Sequence, residues 1–230
     1  MDQQLLRDNI TKLLQRVRLS AEKSQRSECD ILVLAVSKTR TAEDIRMAHD
    51  CGLSQFGESY IQEALEKISA LEDLDLTWHF IGPVQSNKTR ALAEHFHWVH
   101  SVDRSKIATR LNAQRPPGMA PLQICIQVNI SGEASKSGAT VDELPQLVRE
   151  IITLPRLQLR GLMAIPAATT DLQQQKQAFA RLRATLQQLK LIAPTMDTLS
   201  MGMSGDMEAA IAEGSTIVRP GTAIFGARNR

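Results

Sequence analysis

Lys38 stands directly after the apolar run Ile31-Leu32-Val33-Leu34-Ala35-Val36, in the segment Ser37-Lys38-Thr39. A lysine leaving the end of a buried strand is partly desolvated, which lowers its pKa and makes its amine nucleophilic, as a Schiff-base lysine requires. The same placement also suits a lysine that snorkels into a loop. A second group of residues lies near the other end of the chain, in Ser200-Met201-Gly202-Met203-Ser204-Gly205-Asp206 and Arg219-Pro220-Gly221-Thr222. Small residues with hydroxyls and backbone N–H groups, ahead of the short Ala223-Ile224-Phe225 segment, are where barrel folds bind phosphate. Gly221 lets the backbone approach an anion closely, although each glycine here could equally serve only a tight turn. An amine after the first strand, with a phosphate cup after the last two, describes a pyridoxal phosphate site.

Other reactive side chains are placed less pointedly. His79, at the end of a short strand, is a candidate for lining the same pocket or for a hydrogen-bonded structural role. Lys136, in Ser135-Lys136-Ser137-Gly138, reads as a solvated loop lysine or as a second amine near the mouth. Glu58 and Glu63 read as helix N-terminal charges, with general-base roles the alternative. His95, His97 and His100 have no acidic or cysteine ligand at helical spacing, so they read as surface or helix-end histidines and no metal is expected. Gly82-Pro83-Val84-Gln85-Ser86-Asn87-Lys88-Thr89 misses the second glycine of a P-loop, and Pro83 removes an N–H from the cradle.

These residues need a scaffold that gathers strand ends. Leu6, Ile10, Leu13, Leu14 and Val17 form a 3.6-residue stripe, an amphipathic N-terminal helix within residues 1–27. Strands then follow at 31–36, 55–57, 77–81, 98–101, 122–128, 157–163, 198–201 and 216–218. The intervening helices fall at 42–51, 60–71, 88–95, 105–112, 141–151, 172–189 and 207–213. Eight strands alternating with helices in 230 residues predict an α/β fold, a single (β/α)8 TIM barrel over residues 1–230. The rival is a doubly wound open sheet, which would normally carry a nucleotide fingerprint; no Gly-x-Gly-x-x-Gly occurs.

Composition narrows the partners. Five Phe, two Trp and one Tyr make the chain only 3% aromatic, so stacking surfaces for bases or sugars are poorly supplied. Net charge is +2, too weak to imply phosphate-backbone binding. Lys88, Arg90, Arg104, Lys106, Arg110 and Arg115 read as a solvated face, so no nucleic acid is expected. The cysteines Cys29, Cys51 and Cys125 show neither a disulfide framework nor metal spacing, which fits a reducing cytoplasm. The start Met1-Asp2-Gln3-Gln4 lacks a signal-peptide layout and no apolar run approaches a membrane span, so a soluble cytoplasmic protein without membrane contact is expected.

Several motifs together, in order from about residue 31 to 228, resemble the YggS/PROSC pyridoxal phosphate homeostasis protein family. They are Ala35-Val36-Ser37-Lys38-Thr39, Phe56-Gly57-Glu58, Trp78-His79-Phe80-Ile81-Gly82 with Gln85 and Asn87-Lys88, Ser135-Lys136-Ser137-Gly138, Gly161-Leu162-Met163, Leu199-Ser200-Met201-Gly202-Met203-Ser204 and Gly221-Thr222-Ala223-Ile224-Phe225-Gly226. The resemblance implies a barrel similar to the alanine racemase N-terminal domain, with the cofactor held as a Schiff base on Lys38. It implies phosphate contacts from Ser204, Gly221 and Thr222, beside Met203, and Arg219 facing the pyridine nitrogen. Being always cationic, Arg219 would disfavour protonation of that nitrogen and weaken the ring as an electron sink. Two positions depart from the family: Ser59 stands where Asn is commoner, and Pro220 where an aliphatic residue is usual. The implied function is binding and buffering of pyridoxal phosphate without turnover, with apo-enzymes as recipients. A monomer is expected on separate grounds, since the helices alternate polar and apolar faces without an evident second apolar stripe. A pyridoxal phosphate racemase is the alternative, and a Schiff-base lyase or aldolase a third. Against the racemase, Tyr60 is the single tyrosine, and the chain has no room after Gly226 for the added domain that supplies the second base in alanine racemases.

Overall fold

The computed structural model describes residues 2–133 and 137–227. Lys136 lies outside the described residues. All strand pairings are parallel, as expected when a helix separates each strand from the next. The first apolar run is divided at Leu34 into β1 (Leu32–Val33) and β2 (Ala35–Val36). β3 (Gln55–Glu58), β4 (Thr77–Phe80), β5 (Trp98–Val102), β6 (Leu122–Gln127), β7 (Leu157–Met163), β8 (Thr198–Ser200) and β9 (Ile217–Val218) follow. Their order is β1-β9-β8-β7-β6-β5-β4-β3-β2. Because β1 and β2 are separated only by Leu34, this sheet closes on itself as a TIM-type barrel. One strand of the eight expected becomes two because it serves different neighbours along its length: β1 pairs with β9, and β2 pairs with β3. The Leu34 N–H donates to Val218 O (2.9 Å) and the Val36 N–H to Pro220 O (2.9 Å), continuing the seam past the last strand. Pro220 therefore contributes its carbonyl to closure, a group that every residue type would supply.

Outside the barrel lie α1 (Gln3–Lys23), α2 (Ala42–Asp50), α3 (Ile61–Ala70), α4 (Thr89–His95), α5 (Ser105–Gln114), α6 (Leu144–Ile151), α7 (Leu172–Leu189), α8 (Met207–Ala212) and α9 (Thr222–Phe225). Leu6, Ile10, Leu13 and Val17 of α1 are buried, whereas Leu14, assigned to the same stripe from sequence, is 42% exposed. The buried stripe faces α8 and α9. Asn9 Nδ2 donates to Ile224 O (3.0 Å), and Arg16 Nη2 donates to Ser204 O (3.2 Å) while pairing with Glu208 (2.7 Å). This N-terminal helix thus braces the loops after β8 and β9.

The core is aliphatic with Phe56, Phe80, Phe96, Phe179 and Phe225 fully or almost fully buried within it. Arg115 corrects the reading of a solvated basic face. It is buried, and donates to Ala93 O (2.7 Å) and Phe96 O (2.9 Å) at the end of α4 and to Ala120 O (2.9 Å) in the loop after α5. No helix among the described residues is long and apolar enough to cross a membrane.

Candidate functional site

The C-terminal ends of the strands open into a cavity of about 280 Å³ lined by Val36, Lys38, Ser59, Ile81, Ile165, Met203, Ser204, Gly205, Arg219, Gly221 and Thr222. Of the sequence candidates for cofactor contact, seven line this cavity: Lys38, Ser59, Met203, Ser204, Arg219, Gly221 and Thr222. They come from four loops, after β2, β3, β8 and β9, so only closure of the barrel brings them together. His79 does not line it; its imidazole is fully buried inside the barrel.

The loops after β8 and β9 form one wall. Gly202 has φ +94°, and a Cβ there would press on the Ala210 methyl, so a glycine is required for the chain to turn from β8 toward α8. Asp206 accepts the Met203 N–H (2.6 Å), and Ser204 Oγ accepts the Ala223 N–H (3.2 Å), which ties the two loops to each other. Among the described residues, the backbone N–H groups of Gly221 and Thr222 have no acceptor. Two free amides beside the hydroxyls of Ser204 and Thr222 make a donor-rich concavity suited to an anion.

Arg219 forms the floor. Its side chain is buried, with Nη1 donating to Ser200 Oγ (2.8 Å) and Nη2 to Ala164 O (2.8 Å). Among the described residues no carboxylate lies within ion-pair distance of it. Burial lowers its pKa to about 10, which leaves it cationic at neutral pH.

Behind Arg219 a polar chain runs down the barrel interior. His100 Nδ1 is 2.8 Å from Ser200 Oγ, His100 Nε2 is 2.9 Å from His79 Nδ1, and His79 Nε2 is 2.8 Å from Gln55 Oε1. Gln55 Nε2 donates to Thr77 Oγ1 (3.2 Å), so its oxygen faces His79 and the whole chain acquires one direction. His79 donates to Gln55, His100 donates to His79, Ser200 donates to His100, and Arg219 donates to Ser200. Burial holds both imidazoles neutral, His79 at about pKa 3 and His100 well below its ordinary value. Every lone pair in the chain then points toward the guanidinium, which stabilises the buried cation by dipoles. Cys125 is also buried in this region, and burial raises its thiol to about 12, so it stays neutral.

The sequence reading placed Ser200 in the segment leading to the cup but not against Arg219, and it missed His100. His100 corrects the view of a helix-end histidine: it lies in β5, two residues after Trp98 and on the same face of the strand. That period of two was the available signal. His97 accepts the Trp78 N–H at Nδ1 (3.0 Å), and among the described residues no group of His, Cys, Asp or Glu could hold a metal.

Glu58 and Glu63 also differ from helix N-terminal charges. Glu58 is fully buried between β3 and α3, where Oε1 accepts from Ser37 Oγ (2.7 Å) and Lys67 Nζ (2.7 Å). Burial pushes its carboxyl above the usual range, against the pull of Lys67. Glu63 pairs with the same Lys67 and accepts the Thr39 N–H (2.6 Å).

The family described as alanine racemase, N-terminal domain, matches residues 2–229. The chain is 58% identical over 222 residues to the pyridoxal phosphate homeostasis protein of Pseudomonas aeruginosa, covering 96% of this chain and 95% of the relative. It is 51% identical over 224 residues to the Escherichia coli K12 protein of the same name, covering 96% of each. Among solved structures, PipY of Synechococcus elongatus with pyridoxal phosphate bound has a TM-score of 0.77 at 39% identity, covering 92% of this chain and 99% of PipY. Alanine racemase of Clostridium difficile shares the fold, with a TM-score of 0.71 at 16% identity over 97% of this chain and 58% of the racemase.

Proposed function

The chain belongs to the pyridoxal phosphate homeostasis protein family, and from that premise we propose that it binds pyridoxal 5'-phosphate in the barrel-mouth cavity and buffers it. The observation that carries this reading is Arg219, a buried cation with no carboxylate within ion-pair distance among the described residues, in one cavity with Lys38 and with the Gly221 and Thr222 amides, which have no acceptor among those residues. A phosphorylated aldehyde fits that donor set.

What the cofactor supplies when bound is an amine-reactive aldehyde and an electron-withdrawing ring. Lys38 offers the amine for covalent attachment. Gly221, Thr222 and Ser204 would hold the phosphate through N–H and O–H groups, with Ser59 and Met203 completing the walls. Arg219 would face the ring nitrogen and, being cationic, would disfavour its protonation. His79 belongs to this site indirectly, through His100 and Ser200.

The cavity lining argues for storage over turnover. Among its described residues Lys38 and Arg219 are the only titratable groups. Tyr60 is 53% exposed and lines a neighbouring hollow with Pro83 and Lys88, so it offers no second base to the cavity. A two-base racemisation requires such a group. We further infer that the protein acts as a monomer in the cytoplasm, where its three free cysteines fit a reducing environment, and passes cofactor to apo-enzymes.

The test is the visible spectrum of the full-length protein after incubation with pyridoxal phosphate, followed by borohydride reduction and peptide mapping. The wild type is expected to show a visible absorption band that borohydride bleaches, with the label on Lys38; Lys38→Ala carries none at that position. A wild type that stays colourless overturns the proposal. Sustained racemisation of an amino acid at enzyme-like rates would replace storage with catalysis.

A further inference from the structure

Lys38 sits in a turn closed by the Arg40 N–H donating to Ser37 O (3.0 Å). The third residue of that turn, Thr39, has φ +66°. Positive φ at this position favours glycine or asparagine, and a β-branched residue there is strained. Such strain persists only where neighbouring groups over-determine the backbone.

The neighbours are charges of β3 and α3, Glu58 and Lys67 buried and Glu63 half-buried, and they grip the turn on both sides of Lys38. On the leading side, Lys67 Nζ donates to Ser37 O (2.8 Å) and Ser37 Oγ donates to Glu58 Oε1 (2.7 Å). On the trailing side, the Thr39 N–H donates to Glu63 Oε1 (2.6 Å). Lys67 joins the halves by pairing with both Glu58 and Glu63. Lys67 is only 5% exposed and Glu58 is fully buried, with Glu58 Oε2 left without a hydrogen-bond partner. Buried ion clusters are commonly no more stabilising than apolar packing, so stability alone gives a weak account of this one.

We propose that Glu63, Lys67 and Glu58 are positioning residues that clamp the Ser37–Arg40 turn in its left-handed geometry and thereby hold the Lys38 amine at the cavity. This inference rests on the cofactor-binding reading and deepens it. The clamp acts through the backbone on either side of Lys38, so its loss moves the amine without touching the phosphate cup. Glycine at position 39 adopts positive φ freely and lessens the need for a clamp.

The experiment compares full-length wild type, Glu63→Ala, Thr39→Gly and the double variant. Two readouts are taken: borohydride-trapped label on Lys38 at limiting pyridoxal phosphate, and amide hydrogen exchange at Thr39 in the cofactor-free protein. Glu63→Ala is expected to weaken loading roughly tenfold, the scale of one charge-assisted hydrogen bond. Exchange at Thr39 should accelerate by a similar factor while protection of the β5 to β7 amides is unchanged. Adding Thr39→Gly should recover a large part of the loading. Wild-type loading and wild-type Thr39 exchange in Glu63→Ala overturn the clamp, as does a double variant that loads no better than Glu63→Ala. If Glu63→Ala loses protection throughout the barrel, Glu63→Gln is read instead: its uncharged acceptor should give an intermediate loading defect, and none overturns the clamp. A wild type that takes no label indicts the cofactor reading, and the clamp is then judged on the exchange rates alone.

Discussion

Arg219 donates to Ser200 Oγ across 2.8 Å, and Ser200 passes the polarisation on to His100 in place of a carboxylate. A carboxylate beside Arg219 would neutralise it and repel a phosphorylated ligand. A hydroxyl and two neutral imidazoles stabilise the guanidinium while leaving its positive charge for whatever enters the cavity. The chain ends on the amide oxygen of Gln55, which cannot pass a proton along, so it orients dipoles and does not conduct.

Arg219→Met should separate stability from binding. The variant removes a buried cation that has no carboxylate partner among the described residues, which is favourable, and leaves the Ala164 carbonyl without its donor, which costs about 1–3 kcal/mol. These effects oppose each other, so the melting temperature of the cofactor-free protein should move by only about 5 °C or less. Affinity for pyridoxal phosphate should fall at least tenfold, since the variant loses a charge-assisted hydrogen bond. Calorimetric titration and thermal denaturation check both; an affinity that holds would remove Arg219 from the site.

Acid should weaken the fold well above the carboxylate range. The unfolded chain protonates His79 below its ordinary pKa of 6.5, while the folded barrel keeps it neutral down to about 3. Unfolding therefore takes up a proton throughout that window, and the associated stability is complete above 6.5 and lost as pH falls. Between about pH 7.5 and 5 this amounts to about 2 kcal/mol for His79 alone, with His100 acting in the same direction. Glu58, whose carboxyl burial raises, works the opposite way, so the informative quantity is the difference between variants. His79→Gln should flatten the stability–pH profile in this range, measured by urea denaturation; identical slopes would show that His79 protonates inside the folded barrel.

Gly161 lies in β7 where a Cβ would overlap the Thr198 carbonyl of β8. Both atoms belong to rigid strands, so neither can give way. Gly161→Ala should destabilise by about 3 kcal/mol or more, giving poorly soluble protein or a melting temperature lowered by about 6–12 °C. Gly118→Ala is the control for glycine loss in a loop, since no atom lies within 4 Å of the added methyl, although its φ of +90° adds some strain.

The alternation of apolar runs and amphipathic helices made the barrel legible, because each strand buried on both faces leaves an unbroken aliphatic segment. Lys38, Ser204, Arg219, Gly221 and Thr222 were legible for a related reason: they directly follow such segments, and barrel chemistry collects there. The partners of those residues were not. Ser200 and His100 are 100 positions apart and meet only through the stagger of strands across the barrel. Glu58 and Lys67 meet where β3 packs against α3, and Arg115 turns inward to reach the end of α4, both matters of packing that spacing does not encode. The division of the first strand at Leu34 was invisible too, since a closed sheet changes a strand's neighbours without changing its residues.

That division has a consequence for how occupancy and folding depend on each other. The seam where β1 meets β9 is stitched by residues 32–36 and 217–220, and the same two stretches deliver Lys38 on one side and Arg219 with Gly221 on the other. Pairing across so many intervening residues is the slowest kind of contact to form, so the seam is a natural late event in folding. A barrel with its seam open has half a site on each lip. A ligand that touches both lips fastens them like a clasp, and by mass action it favours only the closed ring. In this molecule, storing the small molecule and keeping the barrel shut are one act.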